Sequence, residues 1–430
     1  VRNRRVVAYG LLVALALVLL AVAIVGDRVS GGATQEATTD SSPYLSWWRR
    51  LMPNATSNDA QAVAEQQQTP LGDDEVDVCG VGRRKLVAHM PPPDLFDHGR
   101  RAVLARLDKY SRSAVERDRV LALTFRSRVL GVQAYSEVAA AHTRSTGQEC
   151  YVDARCTSAA SAAEERASAA DRQALIRSAQ STRDPTVYAL AFLTCAGPYA
   201  SRLIPECATV SAARWSQLDP ANGAPWYYIA QDAAETKDRA ARDEALHRIA
   251  SAPYVDFGHG PILRLAGALE AEAKTDAQWL ARFESTMGVW AALPLPNYSV
   301  FLQACGGRDE AQDANRRQLC HRVADALVER DPTLIGLMIG VTAGERSGWP
   351  PERVARFRDE KDAISVTYEK RAVSAKPLFS CAWVSEMRAL ARQQIELGEL
   401  GAARAWMKES GRSASEWATE RRQRVQAAKK

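Results

Sequence analysis

Eight cysteines offer more chemistry than any other residues in this sequence: Cys79, Cys150, Cys156, Cys195, Cys207, Cys305, Cys320 and Cys381. A thiolate ligates a metal, exchanges in a redox pair or closes into a staple, and spacing separates the three. Structural zinc sites use C-x(2–4)-C units, often beside histidine. Here five residues intervene in Cys150–Cys156, eleven in Cys195–Cys207 and fourteen in Cys305–Cys320. No C-x-x-C exists for thioredoxin-like exchange. Cys320-His321 is a lone Cys-His step. Neither metal nor cofactor is expected. An even cysteine count in an exported chain reads as disulfides, although eight cysteines allow about 105 connectivities. The close spacings favour three local pairs, and elimination leaves Cys79 with Cys381.

The stretch CGGRDEAQDANRRQLC, residues 305–320, shows how a local pair would work. Phe301, Leu302 and Ala304 end one apolar helix, and Gly306-Gly307 stop it. Asp309 or Asp313 caps the next helix, on which Cys320, Val323, Ala324 and Leu327 share a face. A bridge there pins a polar loop to its own hairpin.

Catalytic signatures are few. The sequence has no G-x-x-x-x-G-K-[ST], H-E-x-x-H, G-x-S-x-G or S-x-x-K. Among six histidines, His98 follows Asp94 and Asp97, and His259 follows Asp256. Carboxylate with imidazole can make a base or a metal site, but near turns these types more often cap helices or face solvent. Asp73-x-Glu75-x-Asp77 opens like a calcium loop and then fails, with Val78 at the sixth position and Arg84 at the twelfth.

The elements that must position these residues begin with a membrane signal. Val6 to Gly26 is uncharged and 21 residues long, and about 20 apolar residues span a bilayer as a helix. A cleaved signal sequence is the alternative, since Ala21 and Ala23 form an A-x-A pair. Arg2, Arg4 and Arg5 precede the run. The positive-inside rule then keeps residues 1–5 cytoplasmic and exports the rest. Removing those three charges from the net +5 leaves about +2, too little to suggest a nucleic-acid partner.

Residues 27–78 read as a polar linker. One island interrupts it, YLSWWRRLMP, where Trp47, Trp48, Arg49 and Arg50 suit either the lipid headgroup region or a short helix packed on the folded domain. Residues 79–430 read as an all-α domain. Apolar residues recur at helical spacing, Ser113-Ala-Val-Glu116 and Ser161-Ala-Ala-Glu164 form capping boxes, and prolines such as Pro185, Pro225 and Pro332 sit near helix starts. Eight tryptophans, Trp215, Trp226, Trp279, Trp290, Trp349, Trp383, Trp406 and Trp417, fall mostly in apolar helical phase, as core aromatics do. The basic end, Arg421, Arg422 and Arg424 with Lys429 and Lys430, reads as a solvated helix terminus.

Asp184-Pro185, Asp219-Pro220 and Asp331-Pro332 then suggest a repeat: the first two start 35 residues apart and the third 112 further on. Trp226-Tyr-Tyr-Ile-Ala230 follows the second, and ALARQQIELGELGAARAWM (389–407) reads as helix, turn at Gly398-Glu-Leu-Gly401, helix. These stretches resemble tetratricopeptide repeats, whose period is about 34 residues. The resemblance covers about 180–260 and 330–410, and it implies stacked hairpins with a partner-binding surface. A non-repetitive helical bundle is the alternative. A second resemblance concerns lytic transglycosylases, which use a glutamate followed by serine as general acid–base. Phe283-Glu284-Ser285 and Glu409-Ser410-Gly411 are similar to that step, but the family's downstream G-L-M-Q is missing after both.

The sequence thus predicts a single-pass inner-membrane protein whose disulfide-stapled helical domain lies in the periplasm and binds a protein or peptide, with no catalytic residue assigned. The alternative is a cell-wall polymer-cleaving enzyme working through Glu284 or Glu409. A deep acidic cleft at either glutamate would favour the enzyme, and a shallow aromatic concave face would favour binding.

Overall fold

Short caps and apolar spacing set most of the elements. In the computed structural model, residues 75–85, 94–196, 205–291, 295–305, 313–369 and 379–427 are described. The apolar run 6–26, residues 27–74 with Trp47, Trp48, Arg49 and Arg50, and Gly306, Gly307 and Asp309 lie outside them. Among the described residues no helix is long and apolar enough to cross a membrane.

Among the described residues fifteen α-helices follow one β-hairpin. Helices α1 (Asp94–Tyr110), α2 (Glu116–Thr146), α3 (Ala154–Ser181) and α4 (Pro185–Cys195) come first. Then come α5 (Ala212–Leu218), α6 (Ala224–Glu235), α7 (Arg239–Ser251), α8 (His259–Ala271) and α9 (Asp276–Ala291). The rest are α10 (Ser299–Ala304), α11 (Ala314–Glu329), α12 (Leu334–Ser347), α13 (Pro351–Glu369), α14 (Cys381–Glu409) and α15 (Ala414–Ala427). Sequence neighbours pack as hairpins, notably α2 on α3, α6 on α7 and α11 on α12. More distant contacts tie these together: α1 lies on α9, α7 on α11 and α8 on α14.

Caps explain the helix starts. Asp153, Asp184, Asp238 and Asp313 each accept backbone N–H groups at the start of α3, α4, α7 and α11. Pro185, Pro225 and Pro351 take first-turn positions, where a missing N–H costs little. The Ser161–Glu164 capping box does not start a helix. Alanine-rich chain from Ala154 is already helical, and Asp153 supplies the cap seven residues earlier than Ala160. In α14 Gly398 leaves helical geometry at φ 72°, ψ 176°, a left-handed conformation that glycine tolerates. The chain folds back there, so that Trp406 Nε1 donates to Gln393 Oε1 and Gln393 Nε2 to Glu409 Oε1. This is the helix–turn–helix expected at 389–407.

The hairpin is the main departure from the all-α expectation. β1 (Glu75–Val78) pairs antiparallel with β2 (Gly82–Lys85), so the chain is already folded at Glu75 rather than linker up to 78. Val76 and Val78 point inward, while Glu75 faces Lys85 and Asp77 faces Arg83 across the strands. Two such short strands do not stand alone. They are held by the Cys79–Cys381 bridge, and Cys79 N donates to Phe379 O at 2.9 Å.

The remaining cysteines lie at disulfide distance as Cys150–Cys156, Cys195–Cys207 and Cys305–Cys320, with none free. One large core runs from Val76 to Trp406. Trp215, Trp406, Tyr227, Phe125, Phe257, Phe283 and Phe301 are fully buried, each such side chain contributing about 1.5–3 kcal/mol. Trp279, Trp349, Trp383 and Trp417 are buried as well, and Trp226 is half-buried under Arg248. The side chain of Trp290 lies outside the described residues. The far end of the α2–α3 hairpin has a small apolar cluster of its own around Cys150, Cys156 and Ala160. The C-terminal arginines are not simply solvated: Arg421 pairs with Asp362 and Arg422 with Asp359, fastening α15 to α13.

Glycines set one close contact. Gly336, Gly340 and Gly344 recur every four residues along α12. A Cβ at Gly340 would stand 2.7 Å from Val328 Cγ1. The bare backbone therefore lets α12 settle onto α11.

Candidate functional site

One face of each of two helices builds a polar recess. Arg119, Leu123 and Arg126 stand at i, i+4 and i+7 on α2, and Ala174, Arg177, Ser178 and Ser181 at i, i+3, i+4 and i+7 on α3. The last turn of α1 closes the end with Asp108, the turn after it adds Ser111 and Arg112, and Glu116 adds a carboxylate. The cavity holds about 560 Å³.

Arg126 joins its three walls. Its guanidinium donates to Asp171 Oδ2 and Oδ1 at 2.8 and 2.5 Å, to Asp108 Oδ1 at 2.9 Å and to Ser111 Oγ at 3.2 Å. The bond to Asp171 raises its pKa above the ordinary arginine value, against the opposing effect of burial. Arg112 pairs with Asp108. Arg119 donates to Ser113 O at 2.9 Å, and Arg177 is exposed with no partner among the described residues. Nearby, the Thr182 hydroxyl donates to Glu116 Oε2 at 3.1 Å, and Arg117 pairs with the α4 cap Asp184. Burial would raise Asp184, yet the Arg117 bond and the N–H of Thr186 hold it below the usual carboxylate range.

The residues singled out from sequence are scattered. His98 is exposed on α1 and lines a second recess of about 240 Å³ with Glu272, Lys274 and Arg282. His259 is half-buried with its ring 5.7 Å from that of Phe257 between centroids, and desolvation pushes its imidazole down to about 4. Asp256 does not serve it, because its carboxylate accepts Gly258 N at 2.7 Å. Glu284 is half-buried on α9, and burial raises it while Arg100 opposes. Glu409 is exposed and accepts from Gln393 at 2.9 Å. Neither glutamate lines either recess. Asp276 lies within 4.8 Å of Cys79 and Cys381, but those sulfurs bond each other and are not thiolate ligands.

A buried acidic network escaped the sequence reading. Asp331 is 1% exposed. Its Oδ1 accepts Thr333 N at 2.9 Å and Thr333 Oγ1 at 2.6 Å, and its Oδ2 accepts the Tyr298 hydroxyl at 3.1 Å. Burial pushes it up to about 6 against these hydrogen bonds. Glu399, which accepts Leu334 N at 2.9 Å, is pushed up to about 7 by burial and by the Asp331 charge. Among the described residues no ion pair joins either carboxyl: neighbouring Arg330 instead donates to the carbonyls of Ala250 (3.0 Å) and Ala252 at the end of α7. Gly336 makes room, since a Cβ there would stand 2.2 Å from Asp331 Cγ. On α8, Glu270 is pushed up to about 7 by burial while accepting the Thr286 hydroxyl at 2.6 Å. These carboxyls fix helix contacts and open onto neither recess.

The three Asp-Pro steps do different work. Asp184 caps α4, and Asp331 is the buried acceptor just described. Asp219 accepts Tyr254 Oη at 2.6 Å and Asn222 Nδ2 at 3.1 Å. Asn222 also donates to Asp256 O at 2.9 Å and accepts Ala224 N and Asp256 N at 2.9 Å each, latching the start of α6 to the α7–α8 loop. No family model, curated protein or solved structure matches the chain.

Proposed function

We propose that this chain is an exported, membrane-tethered binding scaffold whose disulfide-stapled helical body presents its surface to a protein partner. One observation carries the reading most: neither Glu284 nor Glu409 lines either recess formed by the described residues. His259 is half-buried on α8, Glu284 is half-buried on α9, and His98 on α1 and Glu409 on α14 are exposed. Catalysis by acid and base needs such groups within reach of one reacting atom. Four cysteine pairs suit a body that keeps its shape outside the reducing cytoplasm.

The apolar run 6–26 with Arg2, Arg4 and Arg5 before it supports a single span with a cytoplasmic start and a periplasmic body. The helix pairs α6–α7, α11–α12 and the two halves of α14 support hairpins of the tetratricopeptide kind. Cell-wall cleavage keeps one supporting observation, the raised carboxyl of Glu284 next to Ser285. Among the described residues, Glu284 lines neither recess.

The test is photocrosslinking in cells from Val152, Leu397 and Val425, all exposed apolar positions, followed by mass spectrometry. A discrete protein adduct at one of them is expected. Capture of lipid alone from all three would remove the basis for the scaffold reading.

A further inference from the structure

We propose that the recess between α1, α2 and α3 binds a phosphate group, carried by a small soluble ester or by a lipid headgroup. This goes beyond the scaffold reading and stands without it: a chain that captured no protein could still bind phosphate there. Four guanidiniums surround the recess, and two are already committed. Arg126 is held by Asp171, Asp108 and Ser111, and Arg112 by Asp108. Arg119 uses one N–H, on Ser113 O. Arg177 uses none among the described residues. A guanidinium carries five N–H donors, so these two side chains leave about nine unspent.

Donor number selects the ligand. A carboxylate offers about four lone-pair sites. A phosphate monoester offers three strongly accepting oxygens and a charge of about −1.5 to −2. Planar guanidinium forks match phosphate edges in bidentate fashion. The charge also fits. Asp108 and Asp171 are paired with Arg112 and Arg126, and Glu116 keeps its charge while accepting the Thr182 hydroxyl, so Arg119 and Arg177 leave the recess a net charge of about +1. At about 560 Å³ the space exceeds a bare phosphate and suits one bearing a further group. Arginines near the ends of α1 and α3 also offset the negative helix termini there. That role alone predicts lost stability without lost binding.

The experiment uses the full chain in a phosphate-free maltoside detergent, titrated with inorganic phosphate by calorimetry, with Arg183→Gln as a surface control. The proposal expects saturable phosphate binding that weakens at least about tenfold in the Arg119→Gln/Arg177→Gln variant, with circular dichroism unchanged. If that variant fails to fold, Arg119→Lys/Arg177→Lys decides, because it keeps the charge and loses the fork: weakened binding supports the proposal. Sulfate should compete and acetate should not. Competition by soluble glycerol phosphate identifies a soluble ester, and loss of the phosphate signal in micelles containing phosphatidylglycerol identifies a headgroup. Absence of any heat at about 10 mM phosphate, or equal binding by wild type and a folded variant, overturns the proposal.

Discussion

Cutting the Cys79–Cys381 bridge should destabilise the protein more than cutting any other. The bridge closes 302 residues, against 15 for Cys305–Cys320, 12 for Cys195–Cys207 and 6 for Cys150–Cys156. In the chain-entropy model the cost of loop closure grows with the logarithm of loop length. That gives about 6 kcal/mol for the longest loop, about 3 for the two middle ones and about 2 for the shortest. Among the described contacts, a Cys79→Ala/Cys381→Ala variant keeps the backbone hydrogen bond from Cys79 to Phe379, the buried Val76 and Val78 and the packing of Val81 on the core. Two four-residue strands gain little from these alone, so the hairpin should loosen as well. Guanidinium unfolding of the purified chain, followed by tryptophan fluorescence, ranks the four double variants. Trp383 and Trp279 lie near this bridge and report it directly, since Phe379 stands 5.6 Å from Trp383 between ring centroids. If the Cys79→Ala/Cys381→Ala variant loses no more stability than Cys150→Ala/Cys156→Ala, the long staple is not what joins the two ends of the domain.

Further outcomes follow from the buried polar groups. Asp331, Glu399 and Glu270 sit at about 6, 7 and 7 in the folded chain, above their ordinary values. These three carboxyls bind more protons in the folded state, so their contribution to stability is fully present below about pH 4 and is lost as pH rises through about 6–7, offset in part by His259, whose imidazole is pushed down to about 4; thermal unfolding from about pH 4 to 8 checks the sign, and Glu399→Gln should flatten the profile. Arg126→Ala strands the buried Asp171 carboxylate and should cost about 3–5 kcal/mol in the same unfolding assay. Asn222→Ala removes four hydrogen bonds at the α6 latch and should cost about 3 kcal/mol. Glu284→Gln should leave cell-wall cleavage by extracts unchanged, and a lost activity would revive the enzyme reading.

Much of the helical layout is visible in the sequence because its cues are local. Asp184-Pro185, Asp313 and Gly398 each act within a few residues, as a cap, a cap and a turn. The cysteines stand in the three local pairs that spacing singles out and the fourth left by elimination, since partners such as Cys305 and Cys320 belong to consecutive helices. What stays hidden depends on distant packing. EVDV contains only two inward valines, too short an alternation to separate from linker, and it is held by a cysteine 302 residues away. Asp331 looks like a surface turn residue until Tyr298 and Glu399 arrive from other helices. The glycine at every fourth position of α12 was the available signal for that close approach. For the recess, Arg119 and Arg126 seven residues apart mark one helix face, but only the fold brings Arg177 beside it.

The central claim is that all eight cysteines serve as staples in an oxidising compartment, leaving a rigid body that binds rather than reacts through thiols. Alkylation of intact cells with a membrane-impermeant maleimide after outer-envelope permeabilisation, followed by non-reducing peptide mapping, measures this directly. The account predicts no alkylated cysteine before reduction and four cross-linked peptide pairs, Cys79–Cys381 among them. A free thiol at any of the eight positions in the exported chain would contradict it.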